Sequence, residues 1–343
     1  MFDFFLTGPP DSNNLAVESA SVVRSVRSAN VKSFIESVQR NCGAFSQLSV
    51  RSNASTADQS QAELFLTARD RQRAKPFLKW AGGKTHLLPI LRRCLPDAFN
   101  RYFEPFLGGG ALFLDTCPVQ AILSDLNPEL IQCYEVVRDS PEQLIESLRN
   151  FTVGKEEFYR VRALRPEALD GIMRATRFIY LNKTCFNGIY RVNKQGLFNT
   201  PFGSYERVSL VDPENLRRVS RLLRGATLRW GGYTSVLKLA AKGDFVYLDP
   251  PYFPVSKFSD FKRYTRESFH ESDHKHLAVV FRSLAEAGCY VLLSNSFHER
   301  VVSMFADFHQ AVVDVPRYVN CKASGRGKIK ELLISNYPHS IRL

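Results

Sequence analysis

Short apolar runs alternate with helical stretches from Lys75 onward, and this alternation constrains the fold more than any other feature. Alternating β and α segments predict an α/β domain with a mainly parallel sheet covered by helices. The apolar runs that predict strands are 102–106, 121–124, 245–248, 290–294 and 331–335. The periodic stretches that predict helices between them are 86–95, 110–116, 129–138 and 274–287.

Two other parts of the chain have a different character. Strand signals are weak between Arg138 and Gly232, where helical periodicity dominates and predicts an inserted helical segment. Its expected helices are 141–150, 156–164, 171–181 and 213–223, with an irregular Gly/Asn-rich stretch at 187–203. Residues 1–74 are rich in Ser, Thr, Asn and Gln, and they predict a poorly ordered polar leader with one short amphipathic helix near 31–38.

Charge and composition narrow the class of protein. Lys and Arg exceed Asp and Glu by 46 to 34, a net charge of +12, which favours a polyanionic partner such as nucleic acid. No apolar run reaches the roughly 18 residues that a transmembrane helix needs, so no membrane association is expected. The seven cysteines include no C-x-x-C pair, which is typical of a reduced, cytoplasmic protein.

A glycine cluster follows the first predicted strand of the alternating part. It reads Glu104-Pro105-Phe106-Leu107-Gly108-Gly109-Gly110 and precedes a helix. Glycines allow a close backbone approach to a ligand, and ligands bind at the carboxyl ends of strands in open α/β sheets. The next strand ends at Asp125, 15 residues after Gly110, where a carboxylate can accept hydrogen bonds from ribose hydroxyls. A nucleoside cofactor is therefore predicted, and the contiguous glycines and short spacing argue against NAD.

The tetrad Asp249-Pro250-Pro251-Tyr252 follows the apolar strand 245–248. Two prolines end the strand and fix its backbone, so a carboxylate and a carbonyl can serve as two acceptors beside an aromatic ring. The exocyclic amino group of a base has two N–H donors and a flat ring, which suits this set. A base in duplex DNA must leave the stack to reach such a pocket.

Asn, Arg, Lys and aromatic residues interleave in the segment 181–203, which is rich in turn residues. Arg can bind guanine, Asn can bind adenine, and apolar side chains can contact a thymine methyl group. This segment is therefore a candidate DNA-reading element or, alternatively, a polar surface hairpin. The basic run at 325–330 is expected to be a flexible loop before the last strand, either phosphate-contacting or simply solvated.

Two motif matches are expected to be accidental. The Gly83-Lys84-Thr85 run lacks the glycine that a P-loop requires at position 78, which is Leu78. The pattern from His270 to His274 matches a zinc-binding H-E-x-x-H motif, but the segment is polar, and Ser268 or Ser272 fits a helix cap better. No metal site is expected.

The motifs together resemble the Dam-like adenine-N6 DNA methyltransferases, the amino-methyltransferase class with a catalytic D-P-P-Y. The resemblance spans about 76–337, and its elements follow the family's order. They are P-F-L-K-W-A-G-G-K, E-P-F-L-G-G-G, S-D-L-N, N-G-I-Y-R-V-N-x-x-G-x-F-N-T-P-F-G, D-P-P-Y, L-S-N and E-L-L-I-S-N-Y. The resemblance implies a Rossmann-like S-adenosylmethionine-dependent methyltransferase sheet with an inserted, mainly helical target recognition domain. The catalytic domain would comprise 75–137 and 236–343, and the recognition domain 138–235.

The same resemblance implies roles for individual residues. Asp249 and Pro250 would hold the adenine amino group, and Tyr252 would stack on the flipped ring. The cofactor would be S-adenosyl-L-methionine, and its pocket would be lined by Trp80, Lys84, Phe106, Gly108, Gly110, Asp125 and Asp249. DNA would be contacted by Lys79, Phe186, Asn187, Ile189, Arg191 and Pro201.

The implied reaction is methyl transfer to adenine N6 in double-stranded DNA, with GATC as the expected recognition sequence. Phe186 and Ile189 stand where the enteric Dam enzyme has a tyrosine and a leucine, which are mild departures. Two alternatives stay open: the same fold acting on cytosine N4, RNA or a protein amide, and a catalytically silent DNA-binding module. Whether the enzyme acts with a restriction partner is also open, and the expected location is the cytoplasm, at the nucleoid.

Overall fold

One mixed β-sheet organises the described part of the chain, residues 73–193, 195–205, 207–254, 269–316 and 328–339 of a computed structural model. Its strands are β1 (Tyr102–Glu104), β2 (Ala121–Asp125), β3 (Ala226–Trp230), β4 (Phe245–Leu248), β5 (Tyr290–Ser296), β6 (His309–Pro316) and β7 (Lys328–Ser335). Their order across the sheet is β3-β2-β1-β4-β5-β7-β6. The first five are parallel, whereas β7 is antiparallel to both β5 and β6. The predicted α/β class is confirmed.

Helices cover both faces of this sheet. They are α1 (Leu88–Cys94), α2 (Ala111–Thr116), α3 (Pro128–Asp139), α4 (Pro141–Arg149), α5 (Lys155–Ala163), α6 (Gly171–Thr184), α7 (Pro213–Leu223), α8 (Glu271–Glu286) and α9 (Glu299–Met304). Short 3-10 turns occur at Lys84–His86, Pro166–Ala168, Phe186–Gly188 and Tyr233–Lys238. Sequence periodicity predicted eight of these nine helices to within three residues at either end, and it missed the short helix α9.

The alternation of side chains along β4 shows how the two layers of the core form. Phe245 and Tyr247 pack in one cluster with residues of α1 to α4, α6 and α7, whereas Val246 and Leu248 pack in the other with residues of α8 and α9. Successive side chains in a strand point to opposite faces, so a central strand covered on both faces must be apolar throughout. All four residues of β4 are at most 1% exposed.

The strand order reverses between β1 and β4. From β1 the chain proceeds to β2 and β3 on one side, and β4 and β5 lie on the other. In open parallel sheets this switch point leaves a crevice at the carboxyl ends of the two central strands, where ligands bind. The glycine cluster follows β1 and the D-P-P-Y tetrad follows β4, so the fold brings both motifs to this crevice.

Two edge strands were missed by sequence reasoning, and both are explained by exposure. β3 lies inside the segment 138–235 that was assigned to a helical insertion, yet it pairs with β2 along its whole length. Only Ala226 of β3 is buried, and β6 is half exposed, so neither strand needs a continuous apolar run. The helices α4, α6 and α7 of this segment also contribute residues to the core of the sheet.

The start of α8 corrects a second prediction. The helix begins at Glu271, three residues earlier than expected, because the Asp273 carboxylate accepts a hydrogen bond from the His270 backbone N–H at 2.6 Å. Ser272 is therefore inside the first turn and is not the cap, and Ser268 lies outside the described residues.

Some predictions concern segments that the structure does not describe. The structure describes only the last two positions of the polar leader, 73 and 74. Residues 325–327 of the basic run also lie outside the described residues. Lys328 to Lys330 belong to β7, so the last strand begins earlier than expected. All described residues belong to one compact unit. Within them no helix has both the length and the apolar character needed to cross a membrane.

Candidate active site

The glycine cluster after β1 forms a tight turn into α2. Gly108 and Gly110 have φ of +47° and +61°, a backbone region that favours glycine. The turn is held against β2, because the Gly108 N–H donates to Asp125 Oδ2 at 3.0 Å and the Leu107 N–H donates to the Ser124 carbonyl at 3.0 Å. Asp125 is buried and is the last residue of β2. Its carboxylate therefore fixes the loop to the end of this strand.

Trp80 closes the other side of the same turn. A Cβ on Gly108 would lie 2.6 Å from Trp80 Cδ1, and one on Gly109 would lie 3.3 Å from Trp80 Cβ. The indole is itself stacked against Phe178 and Tyr190, with ring centroids 6.2 and 6.0 Å away. Glycine is therefore required where the backbone meets the indole, and the segment before α1 becomes one wall of the crevice.

The carboxylate of Asp249 stands at the end of β4 and is anchored on one oxygen. Its Oδ1 accepts from Lys84 Nζ at 2.8 Å and from Ser294 Oγ at 2.8 Å. Ser294 Oγ is in turn 3.0 Å from the Tyr247 hydroxyl, which is fully buried. This network fixes the side chain of Asp249 relative to the sheet.

Two acceptors at the tetrad keep free capacity. Among the described residues, none donates a hydrogen bond to Asp249 Oδ2 or to the Pro250 carbonyl oxygen. Both belong to consecutive residues at the mouth of the crevice. Two hydrogen-bond acceptors on consecutive residues therefore remain available at the tetrad.

Tyr252 is held at both ends. Its hydroxyl donates to Glu331 Oε2 at 2.5 Å, and the following backbone N–H, of Phe253, donates to Asn295 Oδ1 at 3.0 Å. The Lys84 ammonium lies 4.6 Å from the ring centroid, within range of a cation–π contact. The D-P-P-Y ring is thus fixed in place by residues of β5, β7 and the first wall of the crevice.

The buried ammonium of Lys84 acts on three carboxyl groups, those of Glu104, Asp249 and Glu331. Burial raises the pKa of Glu104 to about 8, and it also raises the pKa of Asp249 and Glu331 above their ordinary values. In each case the positive charge of Lys84 opposes the rise. Lys84 is only 5% exposed, so its charge acts at short range and with little screening by water.

The segment from Trp80 to Lys84 connects the two halves of the site. Trp80 contacts the turn after β1, and four residues later Lys84 binds the carboxylate after β4. Of the predicted cofactor residues, Phe106 behaves differently, because its ring stacks on Tyr233 at 5.2 Å and meets Phe269 edge-on. Its ring packs against the hydrophobic cluster on the face of the sheet that α8 covers.

The predicted DNA-contacting residues come together at one exposed edge next to the crevice. The buried amide of Asn182, in α6, accepts from the Lys79 N–H at 2.8 Å and donates to the Lys79 and Gly188 carbonyls at 2.6 and 3.3 Å. A Cβ on Gly188 would lie 2.4 Å from the Cβ of Lys79. Lys79 is therefore adjacent to the irregular segment although it is 100 residues distant in sequence.

The irregular segment folds back on itself as a loose hairpin. The Phe186 N–H donates to the Pro201 carbonyl at 2.9 Å, and the Arg191 guanidinium donates to Asn199 Oδ1 at 2.8 Å. Asn187 adopts φ +54°, which turns the chain outward. The side chains of Phe186, Asn187, Arg191 and Pro201 are exposed and that of Ile189 is half-buried, so this set is available to a partner.

The two accidental motif matches have ordinary structural roles. His270 precedes α8, and His274 is buried against the rings of Phe253 and Phe269. Lys84, which mimics a P-loop lysine, faces Asp249. No group of three or more potential metal ligands occurs in the part of the chain that the structure describes.

Sequence reasoning gave no role to three residues of the site. Glu104, Asn182 and Glu331 are all buried and all bond to residues that were singled out or lie beside them. The one sign of these residues in the sequence was a charged or amide side chain beside a continuous apolar run. Such a residue is costly to bury unless it has partners, but the sequence does not name the partners.

Comparison with known proteins agrees with this geometry. Residues 80–318 match the family model of the D12 class N6 adenine-specific DNA methyltransferases. A type II methyltransferase of Lactococcus lactis subsp. cremoris is 39% identical over 280 residues, which cover 79% of this chain and 99% of that protein. A second type II methyltransferase, from Methanocaldococcus jannaschii, is 39% identical over 286 residues, covering 77% and 99%.

A DNA adenine methylase of Vibrio cholerae serotype O1 is 34% identical over 274 residues, covering 78% of this chain and 98% of that protein. The family match spans more than half of the chain and includes the glycine turn and the D-P-P-Y tetrad. The chain belongs to the D12 class of N6 adenine-specific DNA methyltransferases.

Proposed function

We propose that this enzyme transfers a methyl group from S-adenosyl-L-methionine to the N6 amino group of an adenine flipped out of double-stranded DNA. The observation that carries the proposal is the pair of available acceptors, Asp249 Oδ2 and the Pro250 carbonyl, beside a fixed aromatic ring. An amino group of adenine has two N–H donors, and the ring of Tyr252 offers the flipped base a surface to stack on.

The crevice fits the proposed cofactor. A Cβ at Gly108 would lie 2.6 Å from Trp80 and one at Gly110 would lie 2.9 Å from Tyr134, so only glycine fits this turn at the carboxyl end of β1, where ligands bind in open α/β sheets. Trp80, Phe106 and Asp125 would line the nucleoside part of the pocket, and Lys84 and Asp249 would border its reactive end. When bound, S-adenosylmethionine supplies an electrophilic methyl group on a positively charged sulfur.

The chain's own residues would activate the adenine nitrogen. By accepting both N–H groups, Asp249 and Pro250 draw the nitrogen lone pair out of conjugation with the ring and aim it at the methyl carbon. A nitrogen–carbon bond forms as the carbon–sulfur bond breaks, and Asp249 Oδ2 accepts the proton that the nitrogen loses. Lys84 and Ser294 keep the other carboxylate oxygen in place throughout.

The candidate DNA-reading segment 181–203 and Lys79 would read the DNA sequence. Phe186, Asn187, Ile189, Arg191 and Pro201 would contact bases, because Arg, Asn and apolar side chains match base edges in the major groove. The expected recognition domain is 138–235. Its helices α4, α6 and α7 pack on the sheet, so we assign the contacts with DNA bases to the irregular part of this domain. GATC is the proposed site, and the cytoplasm, at the nucleoid, is the proposed location.

Transfer of labelled methyl groups to two duplexes tests this proposal. The duplexes are identical except that the single GATC of one is scrambled. Label only in the GATC duplex, recovered as N6-methyladenine, is the expected result. Label in both would discard GATC as the site, and N4-methylcytosine as product would overturn the proposed substrate.

A further inference from the structure

A carboxylate from a different strand holds the hydroxyl of the D-P-P-Y tyrosine. Glu331 lies in β7, which is separated from β4 by β5, and its Oε2 accepts from the Tyr252 hydroxyl at 2.5 Å. Glu331 pairs with Ser296 at the end of β5, and its side chain is only 8% exposed. The interaction therefore bridges the last strand of the sequence to the motif that carries the chemistry.

Among the described residues, Glu331 makes the one hydrogen bond to the Tyr252 hydroxyl, whereas the Lys84 ammonium contacts the face of the ring. The backbone after Tyr252 is anchored by Asn295, but a phenol ring can still rotate about its two side-chain torsions. An anchor at the far end of the ring, on the hydroxyl, defines the plane of the ring before any base arrives. Preformed geometry of this kind reduces the cost of ordering groups when the reaction occurs.

The negative charge of an ionised Glu331 would strengthen its hydrogen bond with the Tyr252 hydroxyl. A hydroxyl that donates to an ionised carboxylate makes a short, charge-assisted hydrogen bond of about 2.5–2.7 Å, stronger than a neutral one. Burial raises the pKa of Glu331, but the nearby Lys84 charge and the Tyr252 hydroxyl oppose this rise. A carboxylate here binds the hydroxyl more firmly than an amide of the same size.

We propose that Glu331 is a positioning residue for methyl transfer: through the Tyr252 hydroxyl it holds the ring in the plane that stacks on the flipped adenine. The inference rests on the proposed function, because it assigns Tyr252 to the adenine. Glu331 itself touches neither the base nor the cofactor in this account. Its whole effect passes through one hydrogen bond.

A double-mutant cycle tests this directly. Tyr252→Phe keeps the ring and removes the hydroxyl, and Glu331→Gln keeps the size of the side chain and removes its charge. The rate of methyl transfer at saturating cofactor and DNA is measured for the full-length wild type, both single variants and the double variant. We expect each single variant to lose about tenfold in kcat, as for a hydrogen bond to a charged group, with KM for the cofactor unchanged.

The double variant should match Tyr252→Phe alone, because Glu331 has nothing to position once the hydroxyl is gone. Independent losses that multiply to about a hundredfold would overturn the proposal and indicate that the Glu331 charge acts on Lys84 or Asp249 instead. Unchanged kcat in Glu331→Gln would overturn it as well. If Glu331→Gln does not fold, Tyr252→Phe alone still tests the proposal. Full kcat in Tyr252→Phe would overturn it, because the hydroxyl would then have no effect on the reaction.

Two controls separate the possible failures. Asp314→Asn removes an exposed carboxylate on the neighbouring strand β6 and should leave kcat unchanged. A wild-type enzyme that methylates no adenine refutes the proposed function, and this inference with it. An active wild type with multiplicative losses refutes only the role of Glu331.

Discussion

Several residues of the site are ionisable and yet buried, and burial disfavours their charged form. Glu104 is the clearest case. It lies at the end of β1, is 3% exposed, and accepts a hydrogen bond from the Tyr102 hydroxyl at 2.8 Å. Burial raises its pKa from the ordinary 4.5 to about 8, so the folded protein retains a proton that the unfolded chain releases. This predicts a measurable coupling between pH and stability.

The sign of the coupling follows from proton binding. A raised folded-state pKa stabilises the fold fully below pH 4.5, and that stabilisation is lost as pH rises toward 8. The free energy of unfolding should therefore fall by up to about 1.4 kcal/mol per pH unit in this interval from this group alone. Glu104→Gln, which cannot titrate, should remove this slope in urea unfolding at pH 5.5 and 7.5.

The matched control is Glu286→Gln, which removes an exposed carboxylate at the end of α8. It should unfold with the same pH dependence as the wild type. Equal slopes for Glu104→Gln and the wild type would show that Glu104 does not titrate in this range.

At the scale of elements, the turn between β1 and α2 should tolerate no side chain. Gly108→Ala would place a Cβ 2.6 Å from the Trp80 ring, which is already packed against Phe178 and Tyr190, at a positive φ. We expect the substitution to cost about 1–3 kcal/mol of stability and to weaken cofactor binding at least about tenfold. Isothermal calorimetry with S-adenosylmethionine measures the binding.

Gly154→Ala provides the comparison, because a Cβ there would meet nothing within 4 Å. It should bind the cofactor as the wild type does. A Gly108→Ala protein with unchanged affinity would mean that the cofactor does not approach this turn.

A second element-level prediction concerns the amide clamp between α6 and the first wall of the crevice. Asn182→Ala would leave the partly buried N–H and carbonyl groups of Lys79 without their partner, at a cost of up to about 1–3 kcal/mol for each group left unsatisfied. We expect reduced stability and, because Lys79 loses its position beside Gly188, weaker binding of duplex DNA in a fluorescence anisotropy titration.

Gln132→Ala serves as the control for this clamp. Its side chain also links two helices, by donating to the Gly171 carbonyl at 2.8 Å, but the bond is exposed. Water can replace it, so stability and DNA affinity should barely change. Similar losses in both variants would contradict a specific role for the Asn182 clamp.

The elements themselves were predictable to different degrees. Central strands such as β4 are buried on both faces and therefore appear in the sequence as apolar runs. The edge strands β3 and β6 are partly exposed, and their mixed polar and apolar sequences were not recognised as strands. Helices α3, α6 and α7 were predicted from their periodicity, and their starts are fixed by the side-chain caps Asn127, Asp170 and Asp212.

At the scale of the whole molecule, the fold assembles the site from parts of the chain that are far apart. Sequence reasoning placed the motifs after β1 and β4 at the carboxyl ends of strands, and the strand order of the structure brings both to one crevice. Sequence reasoning could not give the contacts that cross the sheet: Lys84 with Asp249, Asn182 with Lys79, and Glu331 with Tyr252. These contacts depend on which side chains meet when the elements pack, and the spacing of residues along the chain does not determine this.

The net charge of +12 is also a property of the whole chain. It accords with a DNA substrate, because Lys and Arg side chains neutralise phosphates and raise the rate of encounter. The charge attracts DNA of any sequence, whereas the exposed hairpin that carries Phe186, Asn187 and Arg191 would discriminate among sequences.

Labelled methyl transfer by the wild type and by Asp249→Ala, compared on one GATC duplex, tests the central claim most directly. The account predicts N6-methyladenine with the wild type and a loss of at least about a thousandfold with Asp249→Ala, because the variant lacks the acceptor for the reacting amino group. Retained cofactor binding and an unchanged unfolding midpoint would confirm that the variant is folded. Full activity in folded Asp249→Ala would contradict the account.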